Sequence, residues 1–193
     1  TIAPVVSRHN LETFRGLNDL CFANNGDLYF TDQGQSGLQD PAGRVYRLSA
    51  AGQLTVLAAN IPSPNGLVLN KKENILYVGV TRANAVWRLP LLPDGTVSRM
   101  GVFIQLSGGR GPDGMAIDEN DGLAVAHPDM GAVWVFNHRG EPQYRINSPK
   151  SEVVTNVAYG GPDRKTLYIV DSEGGFVHTA RVAVAGRKMY SHF

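Results

Sequence analysis

The sequence predicts an all-β protein built from repeated antiparallel units, and three observations lead there. Four segments resemble one another at a nearly constant interval. Each contains short apolar runs separated by turn residues, and no stretch sustains a helical period with caps. The 193 residues include 22 glycines and 11 prolines and are 42% hydrophobic, which suits one turn-rich domain with an ordered core.

The related segments are LNDLCFANNGDLYFTD, PNGLVLNKKENILYVGV, PDGMAIDENDGLAVAH and TNVAYGGPDRKTLYIVD. Each has a polar anchor at its second position, in turn Asn18, Asn65, Asp113 and Asn156, and a second apolar run follows at Leu28, Leu76, Leu123 and Leu167. Third runs are GRVYRLS, NAVWRLP and GAVWVFN, which makes each unit a β-meander. In the first two units a fourth strand follows, as QLTVLAA and VSRMGVF, after turn signals. Four short antiparallel strands in a repeat of about 40 to 50 residues form a β-propeller blade. The expected blades span residues 14–60, 61–106, 107–150 and 151–193, with 1–13 as the outer strand of a preceding blade. A β-sandwich with strands at similar spacing is the alternative; anchors and strands repeating in step favour the propeller. Four blades make an incomplete ring. Its end blades are expected to show apolar faces until a missing N-terminal segment or a second chain completes it.

Charge and cysteine content narrow the function. Lys and Arg number 18 against 17 for Asp and Glu, so no basic field exists to hold a nucleic acid or an anionic membrane surface. No run approaches the roughly 20 apolar residues of a membrane span. Cys21 is the only cysteine, which rules out an internal disulfide and a cysteine cage for a metal; a reducing, cytoplasmic setting is the expectation.

In a propeller the first strand of each blade lines the central channel, so the four anchors converge on one mouth. Asn18, Asn65, Asp113 and Asn156, with Asp19 beside the first, offer carboxylate and amide oxygens, the donor set of a hard cation such as Ca²⁺ or Mg²⁺. Asn and Asp also make turns ahead of strands, and for any single anchor that simpler account stays open. Asp113 alone leaves a divalent ion under-neutralised, so a further acidic ligand is expected. Asp32, His127 and Asp171, at the ends of second strands, are candidate substrate contacts with the loop QGQSGLQDPA. His127 as a surface histidine, and Asp32 and Asp171 as turn-capping acids, are the competing readings. SGGRG and YGGPD do not lie between a strand and a helix, so they are no phosphate cradle, and no G-x-S-x-G elbow is present.

LNDLCFANNGDLYFTD, SPNGLVLN with ILYV, and GPDGMAID with GLAVA resemble the gluconolactonase family, the group of the senescence marker proteins and drug-responsive lactonases. The resemblance runs from about Asn18 to the C-terminus and implies a six-bladed propeller that hydrolyses lactones with a divalent cation, commonly Ca²⁺, with Mg²⁺, Zn²⁺ or Mn²⁺ as alternatives. It implies that Asn18, Asn65 and Asp113 are metal ligands and that Asp113 is also the general acid/base. Asn156, His127, Asp19, Asp32 and Asp171 are left to face a small-molecule lactone. The family's remaining ligand, a glutamate near the start of its first blade, is expected upstream of this chain. A non-catalytic, metal-stabilised binding propeller and a phosphotriesterase-like hydrolase are the alternative functions.

Overall fold

A computed structural model of the chain describes residues 1–192, and every strand pair among them is antiparallel. A short hairpin of β1 (Arg8–His9) and β2 (Glu12–Thr13) precedes four meanders. Blade one is β3 (Leu17–Phe22), β4 (Leu28–Asp32), β5 (Gly43–Leu48) and β6 (Leu54–Ile61). Blade two is β7 (Pro64–Leu69), β8 (Ile75–Val80), β9 (Ala85–Pro90) and β10 (Gly101–Gln105). Blade three is β11 (Met115–Ile117), β12 (Leu123–His127), β13 (Ala132–Phe136) and β14 (Pro142–Asn147); blade four is β15 (Val154–Gly160), β16 (Thr166–Asp171) and β17 (Phe176–Arg181). Together they are successive blades of a β-propeller, with neighbours in each sheet following chain order. No helix among the described residues is long and apolar enough to cross a membrane.

The core lies between the blades. Three clusters fill the three blade interfaces, and strand alternation assigns residues to them. In β8, Leu76, Val78 and Val80 pack toward blade one, whereas Tyr77 packs toward blade three with Met115 and Phe136. Blades two and three are therefore covered on both faces, and this is why their second strands read as continuous apolar runs. The end blades show the half-buried pattern instead. Leu167 and Ile169 of β16 point inward, while Tyr168 is 41% exposed; in β3, Cys21 points inward and Leu20 is 57% exposed.

Two features add to the expected pattern. Within residues 1–13, β1 and β2 pair with each other, and the segment leans on the free face of blade one. Phe14 packs edge-on against Phe30 and Tyr46 at 5.4 and 5.3 Å, and Glu12 pairs with Arg44 at 2.6 Å. Blade three also has a fourth strand, β14, which its exposed, polar sequence PQYRIN conceals. Side-chain latches hold neighbouring blades in register around the axis. The Thr31 hydroxyl donates to the Asn65 carbonyl of blade two at 2.9 Å, and the Thr81 hydroxyl donates to the Pro112 carbonyl ahead of blade three at 2.8 Å.

Candidate metal centre and active site

Three of the four inner strands are irregular where their polar residues sit. Pairing shifts between Leu17 and Leu20 in β3, between Pro64 and Leu67 in β7, and between Val154 and Asn156 in β15. Such bulges re-aim side chains, here those at the channel mouth. In the regularly paired parts, Leu20, Leu67, Met115 and Val157 face the equivalent residues Phe30, Val78, Val125 and Ile169. Counting back from these residues places Asn18, Asn65 and Asp113 in one row, and the fourth member of that row is Thr155.

Asn156 is thus offset by one from the expected ring. Its structural equivalents are Asp19, Gly66 and Gly114. The match with Asp19 extends to hydrogen bonding: Asn156 Oδ1 accepts from Val157 N–H and Asp19 Oδ1 from Leu20 N–H, both at 2.8 Å. Gly66 and Gly114 fill this row in the middle blades because of crowding. A Cβ on Gly114 would collide with the Asn156 amide, and one on Gly66 with the Asp113 carbonyl.

Asp113 stands ahead of β11 and is largely withdrawn from solvent. Burial pushes its carboxyl up to about 6, the Asn65 amide draws it back, and the negative charge of Asp19 raises it further. Asp19 is itself raised by burial, against the backbone N–H groups of Leu20 and Leu67. Among the described residues neither acid is ion-paired with a protein cation. Arg110, whose charge reaches Asp113, is held by both oxygens of Asp129 at 2.8 and 2.9 Å. The two asparagines complete the arrangement. Asn18 donates to Gln33 Oε1 at 2.7 Å and Asn65 to Thr81 Oγ1 at 3.3 Å, and among the described residues their carbonyl oxygens accept no protein donor. Two under-neutralised carboxylates beside two free amide oxygens fit a hard divalent cation. No group of three or more His, Cys, Asp or Glu that could hold a metal exists among the described residues, so the donor set is amide-rich and short of acid.

The remaining candidates are placed differently. His127 is completely buried: Trp134 N–H donates to its Nδ1 at 3.2 Å, so its Nε2–H donates to the Gly108 carbonyl at 3.0 Å. Burial lowers its pKa and keeps it neutral, with no ring nitrogen left for a substrate. Asp32 accepts the backbone N–H groups of Arg15 and Gly16 at 2.9 and 2.7 Å. Asp171 takes Ser148, Ser151, the Gly174 N–H and His178, and these hydrogen bonds hold its carboxyl well below the ordinary range. All three brace loops at the rim. Asp19 and Asn156, by contrast, line the axial channel, a cavity of about 190 Å³ whose wall also carries Cys21, Met115 and Arg187. Gln33 and Thr81, which orient the asparagines, had no sequence signal beyond their place after second strands.

The profile described as the SMP-30/gluconolactonase/LRE-like region matches residues 1–173. The chain belongs to this SMP-30/gluconolactonase/LRE-like family. Lactonase drp35 of Staphylococcus aureus (strain USA300) is 38% identical over 145 residues, 72% of this chain and 44% of the relative; the chain spans less than half of that protein. Among solved structures, a putative gluconolactonase superposes with a TM-score of 0.81 at 25% identity, over 95% of this chain and 64% of that one. A regucalcin from Agrobacterium tumefaciens, described as a calcium-binding protein, gives 0.77 at 26% identity over 90% and 63%. Family membership agrees with the propeller architecture and with the likeness carried by the inner-strand motifs.

Proposed function

We propose that the intact protein is a divalent-metal-dependent lactonase, with Asn18, Asn65 and Asp113 holding the ion and Asp113 acting as the general base. The observation that carries this reading is the row of Asn18, Asn65 and Asp113 at the channel mouth, with the Asp113 carboxyl withdrawn from water beside the Asn65 amide. Asp113 takes a proton from the water that attacks the lactone carbonyl and returns one to the ring oxygen as the C–O bond breaks, so lactone plus water becomes a hydroxy acid. When bound, the cation supplies positive charge that stabilises oxygen anions in its reach. Asn65 orients the Asp113 carboxylate, and Asp19 and Asn156 position the substrate from the channel wall.

Ca²⁺ is the ion best matched to this oxygen-only set; Mg²⁺ and Mn²⁺ come next, and Zn²⁺ lacks the nitrogen or sulfur ligand it favours. The calcium-binding description of the regucalcin relative supports this choice. Asp19, whose charge acts on Asp113, is the candidate on this chain for the further acid expected for charge balance. The test is lactone turnover by Asp113→Asn and Asn65→Ala. Asp113→Asn should fall by about 10²- to 10⁴-fold, the range of a lost general base. Wild-type rates from this variant would refute the role.

A further inference from the structure

Two Asn-Gly pairs occur in the chain, Asn25–Gly26 and Asn65–Gly66, and the fold treats them differently. Asn-Gly is the dipeptide most prone to deamidation, because glycine has no side chain to shield its peptide nitrogen from the preceding carboxamide. In that reaction the glycine nitrogen gives up its proton and bonds to asparagine Cγ, the amide nitrogen leaves as ammonia, and a succinimide ring forms. Water then opens the ring at either carbonyl, leaving aspartate or isoaspartate.

Asn25–Gly26 is the tip of the β3–β4 hairpin. Ala23 N–H donates to the Asp27 carbonyl at 2.9 Å and Gly26 N–H to the Ala23 carbonyl at 3.0 Å, with Gly26 at a φ of 87°. This is a three-residue turn closed by a left-handed glycine. Asn25 is exposed, and its Oδ1 accepts Asp27 N–H at 3.0 Å, which folds the carboxamide forward along the Gly26 peptide. One turn hydrogen bond holds the attacking nitrogen, at a surface loop tip where local opening costs least. Asn65–Gly66 lies inside β7 instead. Asn65 is buried, its amide donates to Thr81 Oγ1 at 3.3 Å, and its peptide carbonyl accepts the Thr31 hydroxyl at 2.9 Å. Gly66 is wedged against the Asp113 carbonyl, with no room for a Cβ. Bringing the Gly66 nitrogen onto Asn65 Cγ requires the inner strand to part from its neighbours.

We propose that Asn25 is a deamidation site, that the fold protects Asn65, and that conversion at Asn25 loosens blade one. Asn25 Nδ2 donates to Asp27 Oδ2 at 3.1 Å, and the same buried carboxylate holds Arg47 at 2.6 Å and the Ala50 N–H at 2.9 Å. Deamidation replaces that donor by a second anion, so one guanidinium faces two carboxylates. Isoaspartate also lengthens the turn backbone by a methylene, which disturbs the pairing of Ala23 with Asp27.

The test is peptide mass analysis of the intact protein held at mildly alkaline pH, beside the same protein unfolded in urea. Trypsin releases Asn25 within residues 16–44 and Asn65 within 48–71, and fragment ions assign the amide-to-acid mass gain to each asparagine. In the folded protein Asn25 should convert at least about tenfold faster than Asn65, and unfolding should close the gap. Asn25→Gln should stay unconverted, since glutamine must close a larger ring. Asn25→Asp should melt about 2–4 °C lower than wild type, the effect of one lost hydrogen bond in a chain of this size. Conversion of Asn25 no faster than Asn65 in the folded protein, or an Asn65 that stays as slow after unfolding, overturns the site. An Asn25→Asp melting temperature equal to that of wild type overturns the loosening of blade one.

Discussion

A carboxylate as withdrawn from water as that of Asp113 costs free energy until something neutralises it. Its carboxyl is raised to about 6, so in metal-free protein its ionisation opposes folding; the penalty is full above about pH 6 and fades as the pH falls from there to the unfolded carboxyl value, near 4. Asp113→Asn should therefore stabilise the metal-free protein at pH 7, by about 1–2 kcal/mol after allowance for solvent screening, and should abolish stabilisation by added Ca²⁺. Melting temperatures in chelator and in Ca²⁺ measure both effects. Because a cation requires the ionised carboxylate, Ca²⁺ affinity should also fall as the pH drops below about 6, which a titration series between pH 5 and 8 reads directly. At this scale the sequence was partly legible. Asn18, Asn65 and Asp113 stand out because they recur in step, whereas Asn156 sits one place along from their row, an offset hidden in the sequence by the longer turn that follows it. His127, Asp32 and Asp171 occupy equivalent places by count, but burial and hydrogen bonding make them loop braces, and counting along the chain cannot reveal burial.

The blades are held by the faces they press together. Leu76 is completely buried between blades one and two, and Leu76→Ala should cost about 2–5 kcal/mol, seen as a shift of the urea midpoint with little change in slope. The loop between β14 and β15 depends on Asp171, whose lowered pKa gives the opposite pH sign to that of Asp113. Its contribution is fully present above the unfolded carboxyl value, near 4, and is lost as the pH falls through the lower folded value. Asp171→Asn should lower the melting temperature at pH 7, and its deficit relative to wild type should shrink as the pH falls below about 4. Second strands were the most readable elements, since burial on both faces leaves them almost purely apolar. β14 was hidden for the converse reason: with one edge and most of its side chains in solvent, it carries no apolar pattern.

At the scale of the whole molecule, the repeat disclosed the propeller, whereas the tail that ties its blades together left no trace in the pattern. After β17 the chain returns across the channel, bridging Gly186 to Asp118 in blade three. Arg187 then donates to the Leu69 carbonyl at 2.8 Å and pairs with Glu73, whose carboxylate also accepts Asn24 N–H from blade one at 3.1 Å. One guanidinium thus links the tail to two blades. Arg187→Met, which leaves Glu73 without its partner, should cost about 3–5 kcal/mol in a thermal or urea melt. No periodicity predicts such a contact, because its partners lie more than a hundred residues apart and use a backbone carbonyl. The claim that unites these scales is that the residues gathered at the mouth bind a cation needed for lactone hydrolysis. The most direct measurement is the initial rate of lactone opening by the intact protein after exhaustive chelation and again after Ca²⁺ is restored. The account predicts loss of activity in chelator and recovery with Ca²⁺; a rate indifferent to chelation would contradict it.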